Sequence, residues 1–231
     1  MAFKYMSTLS RRLFLSGVLA TAAAALPFSA ALAQQHPLYG GEEGEIMGRD
    51  PSLFPPPESP IDFPITPADL DSIPEKFHRQ MVHYEGMESP GTIIVDPSKR
   101  FLYLVLENNT AIRYGVGVGR QGFAWSGEAV VQMKRRWPRW IPPEEMTYRD
   151  AHAAEWNNGM PGGPNNPLGA RALYLFSNGQ DTLYRIHGTN EPNSIGKAMS
   201  SGCIRMLNED VADLFDRVPK GAKVIVLGAD I

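Results

Sequence analysis

The sequence predicts a mainly β domain, a curled sheet or two packed sheets, with helices on its flank. Three observations carry that reading. From Gly91 onward, short β-rich runs recur: Thr92-Ile93-Ile94-Val95, Phe101-Leu102-Tyr103-Leu104-Val105-Leu106 and Ala111 to Val118. Branched and aromatic residues of this kind suit a pleated, half-buried surface. Turn chemistry separates the runs, with Asp96-Pro97-Ser98-Lys99 and then Asn108-Asn109. Proline presets φ and asparagine tolerates left-handed backbone, so consecutive hairpins follow. One helix is well signalled: Asn208 is suited to cap it, Glu209 and Asp210 to its first turn, and Val211, Leu214, Phe215 and Val218 share a face before Pro219 and Gly221 end it.

Taken in order, the chain opens on a targeting segment. Lys4, Arg11 and Arg12 precede the apolar run Leu13 to Leu32, which closes with Ala31-Leu32-Ala33. This is the pattern of a secretory signal peptide over residues 1–33, cleaved after Ala33. Arg11-Arg12 followed by Leu13-Phe14-Leu15 resembles a twin-arginine signal, with the general secretory route as the alternative. The expected destination is the periplasm or cell envelope. An uncleaved run would be a membrane anchor, but its small residues and A-x-A end favour cleavage, leaving no membrane span. Residues 34–90 are punctuated by proline, including Pro55-Pro56-Pro57, Pro60, Pro64, Pro67 and Pro74, and read as a semi-rigid extended linker. The domain proper is expected over 91–228. It gains further strands at Ala129 to Met133, Ala172 to Phe176, Leu183 to His187 and Lys223 to Leu227, and a short helical turn around Ser194 to Met199.

Composition narrows the function. The 231 residues suit one core plus appendages, and the formal charge is −3. Cleavage after Ala33 removes three positive charges and no negative ones, giving −6. An acidic, exported chain is not a nucleic-acid binder. Cys203 is the only cysteine, so it has no disulfide partner within the chain although export favours disulfides. A lone cysteine reads equally as a small buried hydrophobe.

Its surroundings change that balance. Tyr184-Arg185-Ile186-His187-Gly188-Thr189 ends a predicted strand, and His187 lies sixteen positions before Cys203 in Ser200-Ser201-Gly202-Cys203-Ile204-Arg205. A thiol near pKa 8.5 is mostly protonated at neutral pH, and an imidazole can take its proton and return it to a leaving group. The small neighbours let a substrate carbonyl approach, and the N–H groups of Ser201, Gly202 and Cys203 are suited to an oxyanion hole. From the residues alone this reads as a Cys/His acyltransferase or peptidase, and no further, because unrelated folds bring the same pair together.

The string His187-Gly188-Thr189 followed by Ser200-Ser201-Gly202-Cys203-Ile204-Arg205 resembles the signature of the L,D-transpeptidase catalytic domain, the YkuD-type family. Pro90 to Asp96, Tyr114-Gly115-Val116-Gly117-Val118-Gly119 and Gly162 to Gly169 resemble other recurring segments of that family. The resemblance covers about Gly91 to Leu227. It implies a fold of that catalytic-domain type and attack by Cys203 on a peptidoglycan tetrapeptide stem, with release of D-alanine and transfer to an amine in a 3→3 cross-link. It further implies His187 as base, the Gly188 carbonyl as its orienting partner and a supporting or carboxylate-orienting role for Arg205. The same apparatus would serve water, or an amine on an outer-membrane protein; a noncatalytic peptidoglycan-binding module is the alternative of another class. Many members carry histidine where this chain has Ser201.

The remaining signals have plainer readings. Lys134-Arg135-Arg136-Trp137-Pro138-Arg139-Trp140 reads as a loop beside the active site, its tryptophans lining the substrate's approach or packing into the core. Gly115 to Gly119 lacks the full dinucleotide fingerprint and reads as a strand end, and Gly162 to Gly169 lacks the phosphate-loop lysine and reads as a turn-rich rim. His36, His78, His83 and His152 show no ligand-like pairing, so neither a metal nor another cofactor is expected.

Overall fold

A computed structural model describes residues 61–119, 125–200 and 202–228. The expected signal peptide, the first part of the linker, His36 and Ser201 lie outside the described residues. The strands are β1 (Gln80–His83), β2 (Ile93–Asp96), β3 (Phe101–Leu106), β4 (Thr110–Gly115), β5 (Val118–Gly119), β6 (Gly127–Arg136), β7 (Arg171–Ser177), β8 (Gln180–His187), β9 (Ala198–Ser200), β10 (Ile204–Arg205) and β11 (Lys223–Val226). The helices are α1 (Glu144–Thr147), α2 (Ala151–Glu155) and α3 (Asn208–Arg217).

Nine strands form one mixed sheet in the order β1-β4-β3-β2-β11-β6-β7-β8-β10, and β5 pairs with β9. The expected hairpins are present. Asp96 Oδ1 accepts from Ser98 Oγ and Lys99 N to close the β2–β3 turn, and Asn108 and Asn109, at φ 58° and 55°, turn β3 into β4. The chain beyond β4 then crosses to the far edge, where Gly117 exchanges both backbone hydrogen bonds with Arg205 of β10. The sheet therefore curls until a strand near one edge meets the strand at the other.

The apolar residues of α3 pack on the sheet in one cluster with Leu173, Ile186 and Ile204. Burial of Val211, Leu214 and Phe215 contributes roughly 1.5–3 kcal/mol each. Lys134 Nζ donates to the carbonyls of Phe215 and Val218, satisfying the helix end.

Several expectations are corrected. Asn208 does not cap α3; it is the first helical residue, and Leu207 stands at the cap. Its amide is taken by other backbone, accepting from Ala170 N at 2.8 Å and donating to the Thr189 carbonyl at 3.0 Å. The turn expected at Ser194 to Met199 is a 3-10 turn at Pro192–Ser194. Gly196, at φ 80°, ends it, and Ala198–Ser200 becomes β9. The run Ala111 to Val118 breaks after Gly115, which packs too closely on the Phe77 backbone to carry a side chain.

The described part of the proline-rich stretch, 61–90, is also folded onto the domain rather than extended away from it. β1 pairs with β4, Ile73 and Phe77 form a second buried cluster with Ile195 and Leu207, and Ala68 N donates to Glu209. Trp137, 1% exposed, donates its indole N–H to Asp62 and the Phe63 carbonyl. The Trp137 and Trp140 side chains are therefore core residues, which corrects the substrate-lining alternative.

Candidate active site

His187 closes β8, and Cys203 stands one residue before β10. These strands run parallel with Ile204 beside Ile186 and Arg205 beside His187. On the other side of β8, β7 places Ala172 beside His187, Leu173 beside Ile186 and Tyr174 beside Arg185. Side chains alternate along a strand, so Leu173, Ile186 and Ile204 enter the core under α3 while Ala172, His187 and Arg205 make a rung of the opposite face. Carrying the register back one residue gives a second rung of Tyr174, Arg185 and Cys203. The sequence-predicted Cys203, His187 and Arg205 are thus brought to one face by strand register.

His187 is 4% exposed, and its Nδ1–H donates to the Gly188 carbonyl at 2.5 Å. Because a carbonyl only accepts, Nε2 is left with the lone pair, the atom a base requires. Burial pushes the imidazole pKa down to about 4, against the Gly188 carbonyl, with Arg205 and Arg185 adding to the fall. Burial also pushes the Cys203 thiol up; the Arg185 backbone N–H, the Arg185 guanidinium and then Arg205 oppose it, and Asp181 adds to it. Both groups are therefore neutral at pH 7, and this arrangement suits proton transfer during attack rather than a preformed ion pair.

The Gly188 carbonyl is itself fixed. A Cβ on Gly188 would lie 2.2 Å from Asn208 Oδ1, and Gly169 takes φ 62° against the same peptide. Asn208 ties Ala170 to Thr189 on either side of it. The sequence offered Asn208 only as a helix cap; its longer-range partners are set by the fold.

Gly202 has φ 130° and is buried. A Cβ on Gly119 would meet its Cα at 2.7 Å, and one on Gly117 would meet the Ser194 carbonyl oxygen at the same distance. Within the Gly115–Gly119 repeat, read as a strand end, Gly117 and Gly119 thus let the chain after β4 close on Ser194 and the cysteine loop. Arg205 pairs with Glu191 at 2.9 Å. Glu191 is solvent-exposed, so a substrate carboxylate can displace it at little cost. Tyr184, whose phenol is pushed up by burial and in part by Cys203, pairs with Trp125 at 5.7 Å between ring centroids. Asn166, buried, organises the Gly162 to Gly169 rim by donating to the Met160 and Pro161 carbonyls and accepting from Leu168 N.

Among the described residues, no group of three His, Cys, Asp or Glu is placed to hold a metal ion. No described helix is long and apolar enough to cross a membrane.

The family model described as "L,D-transpeptidase catalytic domain" (YkuD) matches residues 90–226. The chain belongs to the L,D-transpeptidase catalytic domain family. Among its relatives, the Escherichia coli K12 protein named "Probable L,D-transpeptidase YbiS" is 36% identical over 139 residues, 58% of this chain and 43% of that protein. The match thus spans less than half of that relative's length. The Bacillus subtilis protein named "Putative L,D-transpeptidase YqjB" is 35% identical over 58% of this chain and 69% of its own. A crystallised Brucella melitensis protein is 55% identical, over 69% of this chain and 99% of that one, with a TM-score of 0.47. That protein is described as a "Probable carnitine operon oxidoreductase caia".

Proposed function

We propose that this L,D-transpeptidase family member cross-links peptidoglycan with Cys203 as nucleophile and His187 as general base. The observation that supports it most is the pairing of the two rungs, which put thiol and imidazole on one face with His187 Nδ1 occupied by Gly188 and Nε2 left as acceptor. The Cys203 S–H proton passes to Nε2 as sulfur attacks the carbonyl of the third, diaminopimelate-type residue of a tetrapeptide stem. The peptide C–N bond breaks, the imidazolium returns the proton to the departing D-alanine amine, and a thioester remains. An amine of a second stem then attacks the thioester, passing a proton through His187 to the sulfur, which restores the thiol and leaves a 3→3 cross-link. Arg205 orients a stem carboxylate by exchanging its exposed partner Glu191. Ser201, Gly202 and Cys203 supply N–H groups for the oxyanion. The site of action is the periplasm, reached through the signal peptide.

Product analysis with a disaccharide-tetrapeptide and added amines tests this. Cross-linked product that depends on Cys203 supports transpeptidation. D-alanine release without cross-linking assigns water or an envelope-protein amine as acceptor, and neither product from folded protein refutes the enzyme and leaves a binding module.

A further inference from the structure

The hairpin between β7 and β8 is not regular. Phe176 pairs with Asp181 and Tyr174 with Arg185, so three residues of β8, Thr182 to Tyr184, stand against Leu175 alone. Leu183 takes φ 63°, a left-handed value that a branched side chain rarely adopts, and the residue is 62% exposed. Strain of this kind survives only where surrounding contacts impose it, and bulges commonly re-aim groups beside active sites.

The contacts that impose it converge on one carboxylate. Asp181 Oδ1 accepts from Leu183 N at 2.9 Å and from Arg185 Nη1 at 2.7 Å, and Oδ2 accepts from Arg185 Nη2 at 2.7 Å. Thr182 Oγ1 accepts from Tyr184 N and donates to the Leu175 carbonyl. The Arg185–Asp181 pair is largely buried, with side chains 13% and 7% exposed. The guanidinium also lies over the Tyr174 ring at 4.4 Å. A two-point Arg–carboxylate clamp of this kind fixes orientation as well as charge. The result adjoins the sulfur: Cys203 Sγ donates to the Leu183 carbonyl at 3.9 Å, and the Arg185 backbone N–H opposes the upward push of burial on the thiol.

We infer that Arg185, held by Asp181 across the β8 bulge, is a positioning residue that presents a backbone N–H and a fixed positive charge to Cys203 and so favours its anionic sulfur during attack. The inference rests on the reading of Cys203 as nucleophile. The charged and titratable groups around the sulfur are Arg185 and Asp181 from β8, Arg205 from β10, His187, and the phenols of Tyr174 and Tyr184. Burial of Tyr174 pushes its phenol up to about 12, so it stays neutral. Arg205 lies one rung away, paired with exposed Glu191, so Arg185 is the cation on the cysteine rung itself, its charge partly offset by Asp181.

The test is the pH profile of Cys203 alkylation by iodoacetamide, followed by mass spectrometry on the full chain. Arg185→Met and Arg185→Gln raise the midpoint and slow alkylation at pH 7 by about tenfold for each unit of midpoint shift. Arg185→Lys returns the midpoint most of the way. The Gln variant, which keeps a donor to Asp181, carries the test if the Met variant does not fold. Melting points lowered at an unchanged midpoint give Arg185 a purely structural role and overturn the inference. Alkylation needs no peptidoglycan, so the two readings fail separately. A shifted midpoint with no D-alanine release in the wild type refutes the proposed function alone, and an unshifted midpoint with release intact refutes the role of Arg185 alone.

Discussion

The imidazole of His187 and the carboxylate of Asp210 show how burial dominates a residue's chemistry. Asp210 is buried in α3 with Oδ2 unpaired among the described residues, and burial pushes its pKa up to about 6 against the pull of Arg79, 3.5 Å away. A raised carboxylate pKa means the folded state holds its proton longer, so this group makes the protein less stable as pH rises from 3.8 to 6. The lowered pKa of His187, about 4 against 6.5, acts in reverse: the unfolded chain binds the proton first, and stability falls as pH drops from 6.5 to 4. Each effect is worth about 3 kcal/mol, and they offset one another between pH 4 and 6. Urea unfolding of the wild type should therefore carry little net contribution from these two groups over that window, and the variants should reveal each one. Asp210→Asn should gain stability as pH rises through it, and His187→Gln should lose stability. Asn208 gives a second test. Asn208→Ala removes two hydrogen bonds and leaves the Ala170 N–H and Thr189 carbonyl without them, costing about 2–4 kcal/mol in unfolding. It should also lower turnover more than substrate affinity, because the Gly188 carbonyl that fixes the His187 tautomer loses its support.

Among the elements, close backbone approach accounts for what the sequence left hidden. Gly117→Ala should cost about 1–3 kcal/mol, since its Cβ would meet the Ser194 carbonyl oxygen at 2.7 Å and overpacking at backbone cannot relax. Gly228→Ala, with nothing within 4 Å, should be neutral by the same measurement. The strands were legible because β-branched runs and turn residues coincide at β2, β3 and β4, and the helix because apolar periodicity and end signals agree. Asn178-Gly179, at φ 51° and 77°, carried an unread signal for the β7–β8 hairpin. β1 was not legible, since Gln80-Met81-Val82-His83 is a short edge strand whose pattern shows no apolar face until β4 is beside it. Of the site, Cys203 and His187 were legible from their neighbours and spacing, and Arg205 from the family motif that it matches. Arg185 and Asp181 were not, because their meaning depends on a bulge that only pairing with β7 reveals.

For the molecule as a whole, the described stretch 61–90 is part of the folded unit. Asp62 accepts from Trp137 and pairs with Arg171 and Arg136, and Ile73 and Phe77 fill a cluster against Leu207 beside the start of α3. A chain beginning at Gly91 should melt well below one beginning at residue 61, as calorimetry would show, because it exposes that cluster and leaves β4 paired on its β3 side alone. The same coupling ties the N-terminal stretch to the site, since Leu207 adjoins Asn208 and Ile195 adjoins the Gly196 turn that leads into β9. Sulfur chemistry at one position decides the function. Intact-protein mass spectrometry during turnover of a disaccharide-tetrapeptide measures it directly: the wild type should gain the mass of the stem acyl group without its D-alanine, mapped to Cys203, and Cys203→Ala should gain nothing. An unmodified wild type that nonetheless releases D-alanine, or an adduct that persists in Cys203→Ala, would contradict it.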